Sequence, residues 1–73
     1  MTPKYYINVY WSDADRCWIA DVPDLRTCAA HGETPDGALA EVLVAMEAWL
    51  QLAREQGEPL PEPRYRPLSH AAA

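Results

Sequence analysis

A length of 73 residues allows one domain, and a chain this short buries only about 60% of the surface its unfolded form exposes, so further burial against another subunit is expected. Hydrophobic residues at 49% and charged residues at 23% exclude the disordered class. A net charge of -5 with six scattered basic residues excludes a direct nucleic-acid binder, and no apolar run approaches the ~20 residues of a membrane span. The N-terminus lacks the basic-then-apolar order of a secretion signal, which points to the cytoplasm.

Residues 5–11 alternate, with Tyr5, Ile7, Val9 and Trp11 on one face and Tyr6, Asn8 and Tyr10 on the other. That period and the aromatic and β-branched side chains predict a strand. The polar cluster Ser12-Asp13-Ala14-Asp15-Arg16 suits a hairpin loop, because Ser and Asp side chains bond nearby backbone groups. Residues 17–22 return as a second strand, with Trp18, Ala20 and Val22 on its apolar side. Pro23 cannot donate a ladder hydrogen bond, so pairing breaks there, and residues 27–31 form a short third strand before Gly32.

Thr34-Pro35 is a strong helix start, since the Thr hydroxyl accepts an orphan backbone N–H and Pro suits the first helical position. The helix is expected over 35–56, with Leu39, Val42, Leu43, Met46, Trp49, Leu50 and Ala53 as the stripe laid on the sheet. Its opposite side is small and apolar at Ala40, Val44, Ala48 and Leu52. Alanines are good helix formers at exposed positions, which is one account of that face. The other is subunit packing, with Val44, Ala48 and Leu52 as the interface of a homo-oligomer. After Gly57 a proline-rich connector stops the helix, and residues 64–68 offer a last short edge strand before a frayed tail at 69–73. The expectation is a single α+β domain over 1–68, a three- to four-stranded antiparallel sheet with one helix packed across it.

Few residues suggest chemistry. Cys17 and Cys28 lack the spacing of a zinc or redox motif, and a disulfide between them requires neighbouring strands and an oxidising compartment. Asp13 and Asp15 lack the Gly and late Glu of a calcium loop and read as a solvated turn. His31 has no Ser, Cys or basic group completing a catalytic set, and a small-ligand site built on Tyr6, Tyr10 and Trp18 lacks convergent polar groups. No catalytic residue, metal or cofactor is assigned.

The ordered series Val22-Pro23-Asp24-Leu25, Cys28, Gly32-Glu33-Thr34, Ala38-Leu39 and Gly57-Glu58-Pro59-Leu60-Pro61-Glu62-Pro63 resembles the HicB antitoxin family over residues 5–63. The resemblance implies a partial ribonuclease-H-like unit, β-β-β-α with an optional further strand. It also implies a prokaryotic toxin-antitoxin role: a HicA-type toxin, a small basic ribonuclease, would be bound and neutralised by protein–protein contact. An acidic chain suits a basic partner. Asp13, Asp15, Asp24 and Glu33 are candidate charge contacts because they fall in loops at the sheet ends, with simple solvation as their alternative reading. Two departures stand out. Arg26-Thr27 replaces the family's usual Pro-Gly, which suggests a differently shaped loop, and an operator-binding domain of the kind many HicB proteins append is not expected within these 73 residues.

Overall fold

In the computed structural model, which describes residues 4–64, three strands and one helix follow in the order β1 (Asn8–Ser12), β2 (Cys17–Asp21), β3 (Ala29–Gly32) and α1 (Pro35–Glu55). The strands form one antiparallel sheet in the order β1-β2-β3, and α1 lies across one face, an α+β architecture. The fourth strand expected over 64–68 and the tail at 69–73 extend outside the described residues.

The ladder is shorter at its open end than the alternation alone suggests. Asn8 pairs with Asp21, so Ile7 and Tyr6 would fall opposite Val22 and Pro23. The Val22 N–H points to the β3 side, where it donates to the Cys28 carbonyl at 3.0 Å, so the next pair to bond β1 would be Tyr6 with Pro23, and Pro23 has no N–H to give. Tyr5 is nonetheless buried, and Ile7 and Val9 pack on the core, so the predicted face is kept where the strand itself is not. The third strand starts at Ala29, later than expected, because the chain is still turning before it: the Cys28 N–H donates to the Leu25 carbonyl, and Thr27 has a φ of 58°. It also runs through Gly32, which pairs with Trp18.

Thr34 caps α1 as predicted, its Oγ1 accepting from the Gly37 N–H at 2.9 Å, with Pro35 following and Asp36 in the first turn. The buried face comprises Ala38, Val42, Met46, Leu50 and Ala53, with Trp49 and Ala45 beside it. Leu39 and Leu43, expected in the stripe, are 38% and 42% exposed. The arc is rotated toward Ala38 because Gly32 lets the first turn of the helix come close to β3: a Cβ at Gly32 would lie 2.5 Å from the Ala38 nitrogen. Gly32 therefore serves through close approach and not through an unusual torsion. The helix packs chiefly on β3, less on β2 and least on β1.

Past the helix, Gly57 takes a φ of 72° and the connector folds back. Leu60 packs against the core, the Tyr5 hydroxyl donates to the Pro61 carbonyl, and the Arg64 N–H donates to Asp24 Oδ2 at 3.1 Å.

Candidate functional site

The hairpin register decides which acidic residues meet. Ser12 pairs with Cys17 and Trp18 with Gly32, so the β1–β2 turn, Glu33 and the start of α1 share one end of the molecule. Asp13, Asp15, Glu33 and Asp36 are all exposed there. Asp24 lies at the opposite end, in the β2–β3 loop, where its carboxylate is engaged with the Arg64 backbone. Of the four residues proposed for charge contacts, three are thus brought together and Asp24 is not.

The acidic turn is held by its own side chains. Ser12 Oγ donates to Asp15 Oδ2 at 2.9 Å and accepts from the Asp15 N–H at 3.2 Å, while the Arg16 N–H donates to the Ser12 carbonyl at 2.8 Å. Asp13 Oδ1 accepts from Trp11 Nε1 at 2.9 Å, and the Trp11 ring stands edge-on to Trp18, with centroids 5.7 Å apart. Trp11 stays 47% exposed although it is on the helix-facing side of β1, since α1 hardly reaches that strand. Leu39 and Leu43 are surface residues that the helical spacing laid on the sheet, and Trp11 is a surface residue on the strand face it shares with Tyr5, Ile7 and Val9. A helix is narrower than three strands, and that disparity was the available signal.

The sheet's other face has no covering layer among the described residues. It presents Tyr10, Ile19 and His31 in a row across the three strands, with Cys17 and Ala29 alongside. Asp15, Cys17, Ile19 and His31 border one shallow depression of about 380 Å³, and Ala29, Ala30, His31 and Glu41 border another of about 430 Å³ at the β3 edge. The aromatics considered for a ligand site are split, because Tyr10 is on this face and Trp18 on the other. Among the described residues no group of three or more His, Cys, Asp or Glu is placed to hold a metal ion.

Both cysteines are free thiols, and the register keeps them apart: Cys17 opens β2 opposite Ser12, whereas Cys28 accepts from Val22 beyond the other end of that strand. The four to five residues between these levels span about 15 Å, too far for a bridge. Burial, reinforced by the Asp21 carboxylate, raises the Cys28 thiol above its ordinary value. Burial likewise raises the Tyr5 hydroxyl, with Asp24 adding to the effect and Arg54 opposing it.

No family model matches the chain, and no solved structure matches it. Over 56 residues it is 32% identical to UPF0150 protein ssl0259 of Synechocystis sp., an alignment that covers 77% of each chain. The chain belongs to the UPF0150 family. Within this UPF0150 domain, the residues predicted for self-association form a second exposed surface: Val44 is 67% and Leu52 53% exposed, with Ala48 exposed between them. They occupy the side of α1 turned away from the sheet. No described helix is long and apolar enough to cross a membrane.

Proposed function

We propose that this UPF0150 chain is a HicB-like antitoxin that acts in the cytoplasm by binding, and that its partner is a small basic ribonuclease toxin of the HicA type. The observation that carries the reading is the ordered motif series, whose members sit where the fold needs them. Pro23-Asp24 turns the chain after β2, Gly32 admits the helix, Thr34 caps it, and the proline connector seals the core through Leu60 and Pro61. Support also comes from the acidic hairpin end, where Asp13 and Asp15 sit on a turn braced by side-chain hydrogen bonds and Glu33 falls at the same end of the sheet. Acidic groups fixed before encounter speed association with a basic protein and cost little ordering on binding.

The reading expects a short basic protein encoded in the adjacent reading frame, and the test is co-expression with it, following growth and messenger cleavage. Restored growth and intact messenger are expected. Undiminished toxicity with this chain folded and in excess overturns the reading. A second reading, a homo-oligomeric interaction module without a toxin, is favoured by the exposed Val44, Ala48 and Leu52. Contiguous exposed apolar surface is a feature of protein–protein contacts. The two readings are compatible in the same molecule.

A further inference from the structure

We propose that the valley between α1 and β1 is the docking surface for the basic partner, with Trp11, Leu39 and Leu43 as its apolar floor and Asp13, Asp36 and Glu47 as its acidic rim. The proposal rests on the binding function above and adds the place where binding occurs.

The valley follows from an incomplete layer. Glu41 borders a depression with Ala29, Ala30 and His31, so that flank of α1 overhangs the β3 edge. Leu39 and Leu43 lie on the opposite flank, at three- and four-residue spacing from Asp36 and Glu47, and face the β1 side. On that side the inward residues of β1 and β2 include Trp11 and Trp18, and α1 packs on β1 least of all. Three of the large hydrophobic side chains that remain exposed, Trp11, Leu39 and Leu43, therefore lie on the side where β1 extends beyond the helix.

The floor is pre-organised. The Trp11 indole is fixed at its N–H by Asp13 and at its ring by Trp18, so little side-chain freedom remains to be lost on binding. Tryptophan is among the residue types enriched as anchors at protein interfaces. The charge around the floor selects the partner: Asp13 stands on the strand side, Asp36 and Glu47 on the helix side, and all three are exposed. A surface with an apolar plug ringed by Lys or Arg is complementary to it.

The experiment is calorimetric titration of the full chain with the protein from the adjacent reading frame, purified in an inactivated form. Wild type is expected to bind with an affinity that falls as salt rises. Leu43→Glu, Leu39→Glu and Trp11→Ala should each weaken binding by about 30-fold or more. Glu58→Gln, in the exposed connector at the far end of α1, should leave it within about twofold. Circular dichroism melts establish that each variant is folded, and the two leucine positions are exposed enough to keep the test decisive if Trp11→Ala is not. Wild-type binding that survives both leucine changes overturns the docking site and leaves the antitoxin reading standing. Absence of wild-type binding overturns the antitoxin reading, and the docking site with it. A homodimer of this chain alone that Leu43→Glu dissociates would assign the valley to a second copy and also overturn the proposal.

Discussion

Gly32→Ala tests the packing argument most directly. The added Cβ would meet the Ala38 nitrogen at 2.5 Å and the Gly37 carbonyl carbon at 2.7 Å, both backbone atoms in the first turn of α1. Ordinary contact needs about 3.4 Å, so the helix start and β3 must separate by close to 1 Å, in a core where small overpacking costs about 1–3 kcal/mol. The same displacement strains the Thr34 cap on Gly37, worth about 1 kcal/mol. A total near 3 kcal/mol is a large part of the roughly 4–11 kcal/mol expected for a domain of this size. It corresponds to a fall in Tm of about 12–24 °C, read by calorimetry or circular dichroism. Gly57→Ala is the matched control: nothing lies within 4 Å of its Cβ, and only the torsion at φ 72° is strained. That change should cost about 1 kcal/mol, and Gly57→Asn less, since Asn tolerates the left-handed region. A Gly32→Ala protein melting within about 4 °C of wild type, or no worse than Gly57→Ala, would refute the close-approach account.

Thr27 is a β-branched residue at φ 58°, so Thr27→Gly should raise stability by about 1 kcal/mol, measured by urea unfolding; an unchanged midpoint would mean that the loop bears no strain. The folded-state values of Cys28 and Tyr5 are raised, so the native chain holds both protons more tightly than the unfolded chain. That contribution is fully present below the ordinary cysteine value of 9.0 and is lost as pH rises beyond it, and then beyond 10.0 for Tyr5. Urea midpoints should therefore fall above about pH 9, and a Cys28→Val, Tyr5→Phe double variant should show a smaller fall; equal falls would contradict the assignment. Finally, Val44→Glu with Leu52→Glu should lower the sedimentation mass of the isolated chain, and an unchanged mass places any self-association elsewhere.

Local chemistry made the helix legible: Thr34, Pro35 and Asp36 announced its start, and the observed end at Glu55 is one residue short of the expectation. The alternation of residues 5–11 and 17–22 correctly assigned faces but overran the ladder, because strand ends depend on which partner still has a free N–H. Leu39 and Leu43 were assigned to the core because their spacing is helical, and periodicity cannot tell how much of a sheet one helix will cover. Arg26-Thr27 in place of Pro-Gly suggested a reshaped loop, and Thr27 there takes a left-handed torsion, with a φ of 58°. The grouping of Asp13, Asp15 and Glu33, with Asp24 excluded, follows from register, which emerges only when the three strands are paired.

The connector's return to Tyr5 and Asp24 joins positions 56 and 40 residues apart in the chain. Entry and exit of the described chain consequently share the end remote from the acidic hairpin. A tether grafted directly at Lys4 or Arg64 would start from that side, so an immobilised molecule would present its hairpin outward. A short linker between the two ends, with new termini cut into the Asp13–Asp15 turn, should yield a circular permutant with the sheet order unchanged.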